Sequence, residues 1–316
     1  MRLRLIVMLL LAGTLPGAEA GWAGQTLEFA PTPAPVPWGT VTSVLLAVAE
    51  GGALLWWWRR RRERRIWTGR LVVRAITPET PGIATFTLAL PDGRQLPFRH
   101  RPGQYLTVKV RAGGRTAQRC YSISTPPQVR DHLTISVKRE ERGLVSNHLH
   151  AEVAVGALLD VTAPMGDFVF EGRGARSIVL IGGGVGLTPL MSVVRWADAA
   201  GWPGEVHLLH AARTPADLLY RRELEERSAR RDGRFFYHPI VEADGGETWG
   251  GARGRITEEF VRASLGGLAG RRFHLCGPPP MMTAVTTLLG RLGVPAADLL
   301  TESFAAATGQ IGRAHV

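Results

Sequence analysis

The sequence predicts a β plus α/β architecture: a six-stranded antiparallel barrel, then a doubly wound parallel sheet, with one transmembrane helix ahead of both. Three observations carry it. Short alternating segments between Gly, Pro and Asp turns fill residues 67–172, strands and helices alternate over residues 175–304, and residues 37–58 hold one ionisable side chain, Glu50. The 316 residues, 45% hydrophobic and 21% charged, suffice for two ordinary domains and an appendage, which argues against a disordered or fibrous chain. Cys120 and Cys276 are too few for a thiolate-ligated iron–sulfur cluster or an all-cysteine zinc site, and they form no disulfide framework. His148 and His150 are two apart and point to different faces of a helix, so no metal site is expected.

Met1 to Ala20 opens with Arg2 and Arg4, runs through the apolar Leu5 to Ala12 and ends in Ala18-Glu19-Ala20, so it reads as a signal peptide or a first hydrophobic segment. Residues 21–36, rich in Pro, Ala and Gly, read as an extended external loop. Pro37 to Trp58 would make a helix about 33 Å long, matched to a hydrocarbon core of about 30 Å. A central acid costs roughly 2.5 to 3.5 kcal/mol and each Val or Leu returns roughly 0.3 to 0.6 kcal/mol, so hydropathy alone is near break-even. The far end decides. Trp56-Trp57-Trp58 suits the aromatic interface, and the Arg59 to Arg65 run RRRRERR, in the linker 59–66, is a stop-transfer signal. The expectation is a single-pass protein of the cell inner or plasma membrane with residues 66–316 in the cytoplasm. Glu50 marks either a partner helix or proton path, or a marginal span with a snorkelling or protonated acid. Of the net charge of +11, residues 1–65 hold eight Arg and four Glu, so part of the basic excess is topological and no nucleic-acid partner is expected.

Strands of the first half are expected at Leu71 to Ile76, Ala84 to Leu90, Tyr105 to Val110, Cys120 to Ser124, Leu133 to Lys138 and Leu158 to Thr162. Turns such as Pro91-Asp92-Gly93 separate them, and Gly172-Arg173-Gly174 reads as a linker. In the second half strands at Ser177 to Ile181, Glu205 to Ala211, Phe235 to Val241, Arg272 to Cys276 and Leu299 to Phe304 alternate with helices at Leu187 to Ala200, Ala216 to Arg230, Ile256 to Ser264 and Met281 to Leu292. Such alternation requires a mostly parallel sheet with right-handed crossovers.

The strongest local motif is Ile181-GGGVGLTPL. Gly182, Gly183, Gly184 and Gly186 let the backbone approach a diphosphate, and the helix starting near Thr188 offers free N–H groups. A tight turn without ligand would look similar, and the run departs from G-x-G-x-x-G at its last glycine. The second strand ends at Ala212-Arg213 with no acid where a ribose diol would be read, which favours a 2′-phosphate, although a surface Arg is the ordinary alternative. Cys276-Gly277-Pro278-Pro279-Pro280 sits between a strand and a helix, where the prolines fix the helix entry, and Cys276 is either at a ligand edge or a buried inert thiol. In the first half Arg119, Tyr121 and Ile123 share one strand face and Cys120 and Ser122 the other, a set able to hold a diphosphate and stack on a planar group. Gly143-Leu144-Val145-Ser146 reads as a helix start serving the same anion.

Together these motifs resemble the ferredoxin–NADP reductase superfamily, in particular the FAD-dependent reductase components that feed oxygenases. RCYS (Arg119 to Ser122), GLVS (Gly143 to Ser146) and PMGDF (Pro164 to Phe168) resemble its flavin-domain motifs. GGGVGLTP (Gly182 to Pro189), ARTPADL (Ala212 to Leu218), CGPPPMM (Cys276 to Met282) and ESF (Glu302 to Phe304) resemble its nicotinamide-domain motifs, so the match spans essentially all of 67–304. The resemblance implies a flavin-binding barrel over 67–172 and an NAD(P)H-binding domain over 175–304, with hydride passing from nicotinamide C4 to flavin N5 and electrons leaving singly. It implies that Arg119 pairs with the FAD diphosphate, Tyr121 stacks on the flavin and Ser122 bonds near its ring, with Val137, Lys138, Gly143 and Ser146 completing the site. It further implies that Gly183, Gly184, Gly186 and Thr188 cradle the nucleotide diphosphate, Arg213 reads the ribose of NADPH in preference to NADH, and Cys276, Gly277, Pro278 and Phe304 border the nicotinamide. Tyr121, Ser122 and Cys276 stand closest to the chemistry.

Relatives often carry a ferredoxin domain after the nicotinamide domain, whereas this chain stops a dozen residues past Phe304. Its last residues, Ile311-Gly-Arg-Ala-His-Val316, are what ATC GGA AGA GCA CAC GTC encodes, a string of a common sequencing adapter, so the tail 305–316 is expected to be truncated, and whether a 2Fe–2S domain follows in the native protein stays open. The expected acceptor is a ferredoxin, oxygenase, desaturase or haem protein, or a quinone at the membrane. Direct quinone or ferric reduction, or a non-catalytic NAD(P)H-sensing subunit, are the alternatives.

Overall fold

Alternating burial along the chain builds the first of two sheets in a computed structural model, which describes residues 66–304 except 113 and 231–232. The expected segments 1–20, 21–36 and 37–58, the Arg run to 65 and the tail 305–316 lie outside the described residues. Among those described, no helix is long and apolar enough to cross a membrane. Strands β1 (Trp67–Thr80), β2 (Ile83–Ala89), β3 (Tyr105–Ala112), β4 (Arg115–Ser122), β5 (His132–Lys138) and β6 (Leu158–Met165) form an antiparallel sheet in the order β4-β3-β6-β1-β2-β5. A bridge between Ile123 and Ile135 brings the two edge strands together and closes the barrel. In β5 Leu133, Ile135 and Val137 are fully buried with Leu71, Phe86 and Leu106, while Thr134 and Ser136 point the other way. Helix α1 (Leu144–Ala151) follows β5 with Gly143 as its N-cap.

The second sheet is parallel, in the order β10-β9-β8-β7-β11-β12, formed by β7 (Ser177–Gly183), β8 (Glu205–Ala212), β9 (Phe235–Val241), β10 (Ala252–Arg253), β11 (Arg272–Cys276) and β12 (Leu299–Glu302). On β7, Ile178 and Leu180 pack with α2 (Leu187–Ala199) and α3 (Arg221–Ala229), whereas Val179 and Ile181 pack with α4 (Glu258–Leu265) and α5 (Pro279–Arg291). Helices therefore cover both faces, and β7 is buried along its whole length, as a parallel strand should be.

Several boundaries differ from expectation for identifiable reasons. β4 begins at Arg115 because it pairs residue for residue with β3, from Ala112–Arg115 to Tyr105–Ser122. β1 is longer because its first half pairs with β6 and its second with β2, across a register shift near Arg74. The helix expected from Ala216 starts at Arg221, since Pro215–Asp217 forms a single 3-10 turn and Tyr220 takes a left-handed φ of 58°. The linker is held where it begins: a Cβ on Gly172, at φ +72°, would lie 2.5 Å from Trp202 Nε1, and just before it Phe170 stacks edge-on against Trp196, Trp202 and His274.

Candidate active site

The barrel contributes the strand that carries Arg119 to Ser122. Pairing opposite Val108, Leu106 and Ile135 puts Arg119, Tyr121 and Ile123 on one face at the β4–β5 seam, with Cys120 and Ser122 on the other. Tyr121 is half-buried against the barrel core, and burial pushes its phenol up, so it stays neutral. Arg119 is exposed and donates from Nη1 to Gln118 O at 2.8 Å. Ser122 is buried, and its Oγ has no hydrogen-bond partner among the described residues. An orphaned buried hydroxyl costs roughly 1 to 3 kcal/mol unless a ligand satisfies it, and a flavin edge would do so.

Beside that strand an open groove is lined by Arg115, Arg142, Gly143, Leu144, Asn147 and His148. The first intrahelical bond of α1 runs from Asn147 N to Gly143 O at 3.0 Å, which leaves the amides of Leu144, Val145 and Ser146 ahead of it, beside two arginines. Gly143 must lack a side chain, because a Cβ would lie 2.3 Å from Ser146 Oγ. Ser146 Oγ spends itself on the turn, donating to Gly143 O at 3.3 Å and accepting from Glu140 N at 3.2 Å, so what the groove could offer an anion is backbone amide and guanidinium. Arg115 and Arg142 were not singled out by motif. Of the remaining expected flavin contacts, Val137 is fully buried in the core and its carbonyl accepts from His150 Nε2 at 2.9 Å, and Lys138 pairs with Glu140 at 3.0 Å.

In the parallel half the two Gly-bearing turns touch. A Cβ on Gly186 would lie 2.3 Å from Cys276 O and 2.6 Å from Gly277 Cα, and one on Gly183 would lie 2.8 Å from Met281 Sδ. Gly184 sits at φ +54°. The turns after β7 and β11 thus form one backbone-lined cradle at the carboxyl edge of the sheet, with Pro278 capping α5. Thr188 is buried and its hydroxyl donates back to Val185 O at 2.8 Å, so it holds the turn. Arg213 at the end of β8 has a side chain 82% exposed and lies 3.2 Å from Asp217, which also accepts from Thr214 Oγ1 at 2.9 Å. The acid that the strand end lacks is therefore supplied four residues later by a 3-10 turn.

Where the halves meet stands Glu302, paired in register with Cys276 across β11 and β12. Its Oε2 is buried without a hydrogen-bond partner among the described residues, and burial pushes the carboxyl up to about 7. Burial, and then the field of Glu302, also raise the thiols of Cys276 and Cys120, and Tyr105 on β3 is raised in part by the same pair, so Glu302 faces the barrel as well as the cradle. Cys276 is fully buried and thiol at neutral pH. Phe304 packs, partly buried, against the α2 side of the sheet. Glu302 belongs to the ESF motif, yet only Phe304 had been assigned a role there.

This chain matches the models of an oxidoreductase FAD-binding domain over residues 70–170 and an oxidoreductase NAD-binding domain over residues 180–287. It is 35% identical over 250 residues to the glycine betaine monooxygenase reductase subunit of Chromohalobacter salexigens, covering 78% of this chain and 67% of that protein. To the flavohemoprotein of Halalkalibacterium halodurans it is 34% identical, covering 74% of this chain and 59% of the relative. Among solved structures, the FAD/NAD-binding domain of nitric oxide dioxygenase from Vibrio cholerae superposes with a TM-score of 0.66 at 28% identity, covering 74% of this chain and 98% of that one.

Proposed function

The chain belongs to the ferredoxin reductase-like family of NAD(P)H-dependent FAD oxidoreductases, and from that premise we propose that it serves an oxygenase or haem component as its reductase. FAD held here would supply the redox chemistry, two-electron uptake from a nicotinamide and one-electron release to an acceptor. The chain's own residues bind and align. Arg119, Arg115, Arg142 and the α1 amides hold the flavin diphosphate, Tyr121 supports the ring, and Ser122 Oγ satisfies a ring acceptor. The Gly183–Gly186 and Cys276–Pro278 turns bring the nucleotide's backbone-facing side close, while the buried Cys276 excludes water. Glu302, protonated to about pH 7, holds a proton at the domain junction without adding a charge there.

The observation that carries the reading is the convergence of the nucleotide cradle, Glu302 and the RCYS strand. For the nucleotide, the Asp217 carboxylate beside Arg213 supports NADH as well as NADPH, since an acid accepts from a ribose diol. A membrane site for the reductase, with its domains on the cytoplasmic side, rests on Trp56 to Trp58 and the Arg59 to Arg65 run. Those residues also keep an acceptor at the membrane in play. The test is acceptor choice: the FAD-loaded chain, reduced anaerobically, is mixed separately with a 2Fe–2S ferredoxin, a soluble haem protein and a short-chain quinone. Fast oxidation by either protein acceptor supports the proposal, and oxidation by quinone alone replaces it with direct quinone reduction.

A further inference from the structure

The interface between barrel and parallel sheet holds a polar network that the chemistry of hydride transfer does not itself require. Its centre is Tyr220, whose φ of 58° is the one positive value at a non-glycine residue among those described. A side chain with a Cβ keeps such a backbone only where its surroundings over-determine it. Here the ring is buried and the hydroxyl makes a short hydrogen bond to Ser136 Oγ on β5. Ser136 Oγ in turn bonds Thr85 Oγ1 on β2 at 2.6 Å, and Thr85 reaches Glu79 on β1. The guanidinium of Arg195, in α2, lies 4.9 Å from the centre of the Tyr220 ring. Its Nε and Nη2 fork onto Glu223 of α3 at 3.0 and 2.5 Å, and its Nη1 donates to Ser124 O at 2.9 Å. One turn earlier Ser192 Oγ donates to Thr125 O at 2.9 Å.

The two ends of this network are the two ends of the proposed reaction path. α2 starts at the Gly-rich turn that cradles the nucleotide, and Ser124 and Thr125 directly follow the strand that carries Tyr121 and Ser122. Each of the bonds from Tyr220, Arg195 and Ser192 runs from the parallel-sheet half of the chain to the barrel half. We propose that Tyr220 and Arg195 are positioning residues that set the gap between nicotinamide and flavin by tying α2 and α3 to residues 122–136. The inference rests on the cofactor placement above.

Displacement of about 1 Å between reacting groups lowers a rate by as much as about 100-fold, whereas affinity for either partner alone is untouched by their mutual spacing. The full chain loaded with FAD is therefore mixed anaerobically with saturating NADH, and the limiting rate of flavin bleaching is followed for the parent, Tyr220→Phe, Ser136→Ala and the double variant. Tyr220→Phe and Ser136→Ala each remove a single oxygen, and Arg195→Lys keeps the charge while losing the fork. Each hydroxyl variant, and Arg195→Lys likewise, is expected to slow the limiting rate roughly 10- to 100-fold with FAD and nucleotide affinities unchanged, and the double hydroxyl variant no further than the slower single. Hydrogen exchange of the FAD-free chain supplies a second readout: amides 122–136 and 187–195 should exchange faster together in Tyr220→Phe. An unchanged limiting rate, additive slowing, or slowing that tracks loss of FAD affinity overturns the inference. If the parent itself is not bleached by either nucleotide, it is the reductase reading that fails.

Discussion

The two halves of this molecule prepare their ligand sites by opposite means. The barrel presents polar side chains, namely buried Ser122, whose Oγ has no partner among the described residues, exposed Arg119 and the groove arginines Arg115 and Arg142. The parallel half removes side chains instead, so that Gly186 and Gly183 can lie against Cys276 and Met281, and it spends Thr188 on its own turn. One site is thus specified by which groups are present and the other by which are absent. Substitution should reveal the difference: enlarging a residue ought to ruin the cradle, while trimming one ought to unload the barrel.

The sharpest blow to the cradle is Gly186→Ala. A Cβ at 2.3 Å from Cys276 O cannot be housed without moving one turn, so we expect a loss of roughly 1 to 3 kcal/mol in unfolding free energy and no saturable nucleotide binding. Denaturant unfolding and calorimetric titration check both, and retention of nucleotide binding would break the contrast.

Glu302 sharpens the comparison at the junction. The folded chain holds this proton to about pH 7 and an unfolded glutamate only to about 4.5, so the folded state binds the extra proton between those values and stability declines as pH rises across that window. The decline should amount to at most about 3 kcal/mol and vanish in Glu302→Gln, as read by unfolding free energy against pH.

Asp217→Asn, on the nucleotide side, removes a charged acceptor and should weaken NADH roughly tenfold with less effect on NADPH, measured as the ratio of half-saturating concentrations for bleaching. The smallest effect is expected for Ser122→Ala. Without FAD the variant should be as stable as the parent or slightly more so, since it deletes an unsatisfied hydroxyl. The stabilisation conferred by FAD should shrink by about 1 kcal/mol, as thermal shifts with and without FAD would show.

Sequence reading reached every strand but the two-residue β10, the turns and both glycine motifs because these are local: alternation, β-branched runs and Gly or Pro punctuation lie within a few neighbouring positions. It missed what depends on the third dimension. The αL turn at Tyr220 hides behind Leu218 and Leu219, which read as the face of a helix, and only its tertiary partners, Ser136 at the hydroxyl and Arg195 over the ring, account for it. Asp217 sits outside the strand end where a ribose-reading acid is sought, and a 3-10 turn returns it to Arg213. Glu302 gains its unusual proton from burial, which no motif spacing reports. Val137 alternates correctly into the barrel core, so its side chain has nothing to offer the flavin seam.

The most direct measurement is an anaerobic titration of the FAD-loaded chain with NADH and NADPH in parallel, following the oxidised flavin band. The account predicts stoichiometric FAD binding and bleaching by one equivalent of nucleotide per flavin. Failure to bind FAD, or no bleaching with either nucleotide, would contradict it.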